Sequence, residues 1–237
     1  MQITEVTDSF SLESVVPFFQ PIMDLENNTV WSYECLARLV NLHDNTYLPS
    51  QFLFLVERQH TVAQLTETIF KRSASYFRDI NMAWNINVSL SDMTDSESHQ
   101  FFRSQLGDYP NPNRVSVEIT AQNALADLQS FSRFAEMCAD YGVKIIIDHF
   151  DLTKENVEKV FSLPVAAIKV QGSLFESDGP DTTNSELIAL LISASKKNDV
   201  ILIAERIEQR ETLTKVRELG LKYAQGFYFS QPKANVD

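Results

Sequence analysis

Short apolar runs recur along the chain, and a polar residue closes each. Val143-Lys144-Ile145-Ile146-Ile147 ends in Asp148-His149, and Val30-Trp31-Ser32-Tyr33 ends in Glu34. Asn87 follows Met82 to Ile86, Glu118 follows Val115 to Val117, and Lys169 follows Val165 to Ile168. Glu205 closes Ile201 to Ala204, and Gln225 follows Tyr223-Ala224. Runs of this length, bounded by turn residues, read as buried strands. The first two strands, Phe18 to Met23 and Thr29 to Leu36, flank Asp24-Leu25-Glu26-Asn27-Asn28 and read as an antiparallel hairpin.

After the hairpin the rhythm alternates. Strands are expected over Met82 to Val88, Arg114 to Ile119, Val143 to Ile147, Val165 to Val170, Val200 to Ala204 and Leu221 to Gln225. Helical spacing marks Thr61 to Asp79, Gln122 to Tyr141, Ser185 to Lys197 and Gln209 to Leu219, and Pro49 opens a further helix at Gln51 to Leu55. Gly142 and Gly220 each follow a helical stretch and precede a strand, where a left-handed cap is expected. The pattern predicts an α/β fold, a TIM-like (β/α)8 barrel with an antiparallel first strand, over a single domain spanning 1–237. A doubly wound open sheet is the alternative. Ser173 to Ser185 is the candidate mobile excursion beside the strand ends.

Composition narrows the partners. A net charge of −12 argues against binding a nucleic acid polymer, which requires clustered Lys and Arg. Cys35 and Cys138 stand in no zinc or disulfide pattern and are expected as reduced thiols. The N-terminal residues lack the features of a signal peptide, and no run approaches the ~20 apolar residues needed to cross a bilayer. The expectation is a cytoplasmic protein with no membrane association. The six glycines form neither GxGxxG nor a P-loop, so phosphate chemistry must rest on side chains and metals.

In a barrel, ligand-binding groups gather where the strands end. Glu34, Asn87, Glu118 and Asp148 are hard oxygen donors of the kind Mg²⁺ or Mn²⁺ prefers, and Lys169 suits the orientation of a water or the support of an oxyanion. Each residue also has a plainer reading. Glu34 and Glu118 suit solvated strand ends, Asn87 a turn, and Asp148 a helix cap. Lys169 suits a snorkelling side chain, Glu205 a surface pair with Arg206 or Arg210, and Gln225 a buried hydrogen-bonding residue.

The ordered set of motifs resembles the EAL family of cyclic-di-GMP phosphodiesterases from about Pro17 to Pro232. Gln20-Pro21-Ile22 resembles its QPI segment, and Glu34-Cys35-Leu36 with Arg38 its Glu-Ala-Leu signature, with Cys in place of Ala. Asn87-Val88-Ser89, Glu118-Ile119-Thr120 and Ile168-Lys169-Val170 resemble its NxS, ExTE and IKxD elements. Ala204-Glu205-Arg206-Ile207-Glu208 and Gln225-Gly226 resemble its AExxE and QG elements. The resemblance implies two-metal hydrolysis of cyclic-di-GMP to pGpG. It assigns Glu34, Asn87, Glu118, Asp148 and His149 to metal, with Glu205 completing the set and acting with Lys169 in catalysis. Gln20, Arg38 and Gln225 are assigned to the substrate, and homodimerisation is a further expectation.

The departures fall on one corner. His149 replaces the second Asp of the family's Asp-Asp pair, and imidazole is a poor Mg²⁺ ligand without negative charge. Ala121 stands for the second Glu of ExTE, Asp151 to Glu155 for a Gly-rich loop, and Gln171 for an Asp. These changes predict a largely intact first metal site, a weakened second one and attenuated hydrolysis. The alternative is a catalytically inactive cyclic-di-GMP receptor or a protein-interaction module with a protein partner.

Overall fold

The computed structural model describes residues 6–7, 10–175 and 182–236. Its hairpin pairs β1 (Val15–Asp24) with β2 (Thr29–Val40). The turn is set locally, because the Asp24 carboxylate accepts from the backbone N–H groups of Glu26 and Asn27 at 2.9 and 3.1 Å. Asn28 takes the positive φ (54°) that the return requires.

From β2 the sheet runs through β4 (Ala83–Asn87), β5 (Val115–Thr120), β6 (Lys144–Asp148), β7 (Ala167–Gln171), β8 (Ile201–Glu205) and β9 (Tyr223–Gln225), each parallel to the last. β9 then pairs antiparallel with β1, Ile22 opposite Gln225, and the ring of eight strands closes. This is the expected TIM-like barrel with its antiparallel first strand. A short strand, β3 (Thr46–Tyr47), pairs with β2 outside the ring.

β2 extends four residues past the expected Leu36. Its pairing with β4 ends at Cys35 opposite Ile86, while Leu36 to Leu39 continue the ladder with β1. Glu34 therefore lies inside a long strand but at the rim of the barrel. The predicted helix Gln122 to Tyr141 is two helices, Ala121–Ala126 and Leu128–Asp140. Asp127 breaks it by accepting from the Ser130 N–H at 3.0 Å and so capping the second. Three further helices, Leu90–Thr94, Ser96–Asp108 and Lys154–Val160, carry too little apolar spacing to be seen beforehand. Gly142 and Gly220 have the left-handed φ expected of them, 71° and 79°. In the expected excursion, Gly172–Phe175 forms a 3-10 turn and a helix occupies Thr182–Asn198. Residues 176–181 lie outside the described residues.

Strand periodicity divides the apolar residues between two cores. Outward-facing Trp84, Ile86, Val117, Ile147 and Ile168 join the large core beneath the helices. There Phe70 packs edge-on against Trp84 and Phe102, with ring centroids 5.4 and 5.6 Å apart. Inward-facing Ile22, Ile146, Ala167 and Ile203 form a separate apolar plug within the barrel. Above that plug, the same inward face carries polar residues. Among the described residues no helix is long and apolar enough to cross a membrane.

Candidate active site

Two residues beyond the plug, the strands turn polar on the same face. Ile146 is followed by Asp148, Ala167 by Lys169, Ile203 by Glu205, and Tyr223 by Gln225. A spacing of two in a strand keeps each pair on one side of the sheet. Glu118 and Asn87 join from β5 and β4, while Glu34 comes from β2 opposite Gln20 on β1.

Lys169 is the hub. Its side chain is 1% exposed, and Nζ donates to Glu34 Oε2 and Glu118 Oε2 at 2.7 Å each. The plainer reading of a snorkelling lysine is thereby excluded. Gln225 Nε2 donates to the same Glu34 oxygen at 2.8 Å and to Gln20 Oε1 at 3.3 Å. Asn87 Nδ2 reaches Glu34 Oε1 at 3.1 Å, and Gln20 Nε2 is anchored to the Ser230 carbonyl at 3.1 Å. Thus Gln20, Glu34, Asn87, Glu118, Lys169 and Gln225 form one network. Asn87 serves it as a hydrogen-bond donor rather than as a turn residue, and Gln225 is the buried hydrogen-bonding residue its plainer reading expected.

The electrostatics separate the two glutamates that share Lys169. Burial opposes the charge on Glu34, yet the Lys169 ammonium and the donors Gln225 and Asn87 hold its carboxyl below the usual range. Burial, then the neighbouring Glu34 charge, pushes Glu118 well above that range despite Lys169. Lys169 itself resists the desolvation that favours its neutral form, because Glu118, Glu34 and Asp148 hold its charge. Two carboxylates around one cation titrate apart in this way.

Asp148 and Glu205 lie nearby. Asp148 is buried, and both of its oxygens engage the adjacent residue: Oδ1 accepts from the His149 N–H and Oδ2 meets His149 Nδ1, each at 2.7 Å. His149 reaches back through a left-handed backbone (φ 51°), with its ring 58% exposed. Arg206 repeats that conformation (φ 56°) directly after Glu205. Glu205 is buried rather than set in a solvated surface pair, and its Oε1 has no hydrogen-bond partner. Burial, then Asp148, raises its pKa, opposed by Lys169, Arg206 and His149. It borders a cavity of about 270 Å³ with Gln20, Glu34, Gln225 and Phe227.

Arg38 stands apart from the network. It donates to the neighbouring Ala37 carbonyl at 2.8 Å and lies over the Phe18 ring at 5.9 Å. Beside His149, a second cavity of about 500 Å³ is lined by Ala121, Asp151, Asn156 and Gln171. It opens where the resemblance showed its departures.

The acidic side chains gathered here are hard oxygen donors, the type a divalent cation takes. Glu34, Glu118, Asp148 and Glu205 bring carboxylates near the buried Lys169, and one Glu205 oxygen is unpaired. Among the described residues no three acidic, histidine or cysteine groups stand in a ligating cluster. Between Glu34 and Glu118 the position is taken by Lys169 Nζ.

Two members of the network escaped the sequence reading. Asn85 is fully buried, accepts from Ser32 Oγ at 2.9 Å and donates through Nδ2 to Glu118 Oε1. The signal was present in Trp84-Asn85-Ile86-Asn87, whose alternation places Asn85 on the same face as Asn87.

Comparison with known proteins agrees with the fold. The family model described as EAL domain matches residues 3–232. The chain is 22% identical over 227 residues to the cyclic di-GMP phosphodiesterase PdeA of Borreliella burgdorferi, covering 91% of this chain and 33% of the relative. It is 22% identical to the probable cyclic di-GMP phosphodiesterase PdeG of Escherichia coli, covering 94% of this chain and 45% of that protein. The chain thus spans less than half the length of these relatives. The FimX EAL domain of Pseudomonas aeruginosa, solved bound to c-di-GMP, superposes with a TM-score of 0.85 at 19% identity, covering 100% of this chain and 96% of that one. That likeness shows a shared fold.

Proposed function

This chain belongs to the EAL domain family, and on that premise we propose that it is a cyclic-di-GMP signalling domain that hydrolyses the dinucleotide slowly to pGpG. The observation that carries the reading is the buried Glu34–Lys169–Glu118 network at the rim of the barrel, backed by Asn87, Gln225 and Gln20. An apolar core does not need three ionisable groups there, and desolvating them is costly unless they serve a ligand.

Glu34, Asn87, Glu118, Asp148 and Glu205 are the residues that would have to hold a divalent cation, Mg²⁺ or Mn²⁺, were one to bind. When bound, the cation polarises the phosphodiester and offsets charge on the attacking and leaving oxygens. Lys169 offers an ammonium that orients the attacking water. Glu205 Oε1, unpaired and bordering the cavity, is the acceptor available to that water's proton. Gln20 and Gln225 line the same cavity, and Arg38 reaches phosphate by a charge-assisted hydrogen bond. Attenuation follows from Asp148, whose oxygens are both engaged by His149. That engagement also favours a second reading, a receptor that binds cyclic-di-GMP without cleaving it.

Calorimetric titration of cyclic-di-GMP in Ca²⁺, followed by a pGpG assay in Mg²⁺ and in Mn²⁺, separates the readings. Binding with turnover that is lost in Glu34→Ala supports hydrolysis. Binding without turnover supports the receptor, and absence of both refutes the proposal.

A further inference from the structure

Arg206 is held in a backbone conformation that its side chain does not favour. Its φ of 56° is left-handed, a region where a residue with a Cβ is strained and which persists only where the surroundings impose it. Here they do. The next residue, Ile207, is fully buried, its N–H donates to the Gln225 carbonyl at 3.0 Å, and its carbonyl accepts from the Tyr228 N–H at 2.9 Å. Gly226 lies so close to the Ile207 backbone that no Cβ fits between them. The chain leaving β8 is thus fixed against the chain leaving β9.

The brace separates neighbours. Glu205 and Ile207 are buried, while Arg206 between them is exposed and borders the cavity of about 270 Å³ beside Gln20, Gln225 and Phe227. Among the described residues around that cavity, Glu34, Glu205 and Glu208 are acidic and Arg206 is the one cation. Its guanidinium has neither a hydrogen bond nor an ion pair among the described residues. The other candidate cations face elsewhere. Lys169 is engaged by Glu34 and Glu118, and Arg38 turns to the Ala37 carbonyl and the Phe18 ring.

An anion entering beside three carboxylates is repelled unless a fixed cation stands there too. Arginine suits that place, since its guanidinium stays charged and presents a planar fork of donors that matches phosphate oxygens. We propose that Arg206 binds one phosphate of the cyclic dinucleotide, and that the braced left-handed turn after β8 aims it into the cavity. The inference rests on the reading above of cyclic-di-GMP as the ligand, whose second phosphate is left for Arg38.

The test is calorimetric titration of cyclic-di-GMP in Ca²⁺ into the wild-type chain, Arg206→Asn and Arg206→Lys, at low and at high NaCl. Asn tolerates the left-handed backbone better than most side chains. Arg206→Asn therefore removes the charge and keeps the turn, and its melting temperature without ligand should not fall below that of wild type. Its affinity should fall about 10–100-fold at low salt and should depend less on salt than the wild-type affinity does. Arg206→Lys keeps the charge without the fork and should lie between the two. Unchanged affinity in Arg206→Asn, or the same salt dependence as wild type, overturns the proposal. A melting temperature that falls together with the affinity overturns it as well, since Arg206 would then support the fold. A wild-type chain that does not bind cyclic-di-GMP refutes the functional reading instead. Arg206 is then judged on the simple phosphodiester bis(p-nitrophenyl) phosphate, which should raise the melting temperature of wild type and not of Arg206→Asn; equal shifts, none included, overturn the proposal.

Discussion

Replacing Lys169 with Met keeps the length of the side chain and removes its charge, which isolates the part of the network that carries the most electrostatic weight. In the structure, one ammonium at 1% exposure faces two carboxylates whose side chains are 9% and 0% exposed. Removing one partner of such a pair leaves charge buried without compensation and costs roughly 3–5 kcal/mol. For a chain of this length that corresponds to roughly 6–20 °C in melting temperature. The pH dependence supplies the sharper test. Glu34 is held below its ordinary range largely by Lys169, so its contribution to stability is present above the unfolded-state pKa and fades as pH falls. Glu118 lies well above its ordinary range, so its contribution is complete in acid and is lost as pH rises through the folded-state value. Without Lys169, both carboxyls favour their protonated forms, and the deficit of the variant should be large near pH 8 and small near pH 5. Urea unfolding followed by circular dichroism in EDTA at the two pH values measures it. A variant as stable as wild type at pH 8, or one more impaired at pH 5, would refute the electrostatic account.

Other perturbations test other parts of the site. A methyl group at Gly226 would run into the Ile207 backbone, so Gly226→Ala should cost roughly 2–3 kcal/mol, read by denaturant unfolding, and should displace Gln225. His149→Asp with Ala121→Glu should raise Mg²⁺-dependent turnover about tenfold by returning carboxylates to the depleted corner; no gain would mean that the wrong residues were blamed. Arg38→Ala should diminish the rise in melting temperature that cyclic-di-GMP produces, because it removes a charge-assisted contact worth about 1.5–3 kcal/mol. An undiminished shift would place the phosphate elsewhere.

The barrel and most of its rim were legible because a strand's period of two couples burial to function. Apolar runs such as Ile145 to Ile147 announce the wall, and the polar residue that ends each run announces the face. What escaped was polarity within a run. Asn85 sits between Trp84 and Ile86 and passes for a tolerated interruption unless the inner and outer faces are assigned separately. The end of β2 was misplaced for a related reason: the ladder with β1 continues after the barrel wall has ended, and one strand's sequence does not say how many partners it has. Helix Lys154–Val160 was unreadable because only Val157 and Val160 are buried along it, too few to set a period. The pairing of His149 with Asp148 was also hidden, since it depends on a positive φ at a residue that seldom adopts one.

The closure of the ring between β1 and β9 governs when the site comes into being. The hydrogen bond from Gln225 to Gln20 spans 205 residues of chain, and that from Gln225 to Glu34 spans 191. During synthesis the hairpin that carries Gln20 and Glu34 emerges early, whereas its partner is still to be translated. At roughly 5–20 residues per second, the early strands wait on the order of ten seconds or more with an unpaired edge and an unshielded glutamate. An edge of that kind is open to association with other chains. A ribosome stalled before Gln225 therefore carries most of a barrel but no complete site.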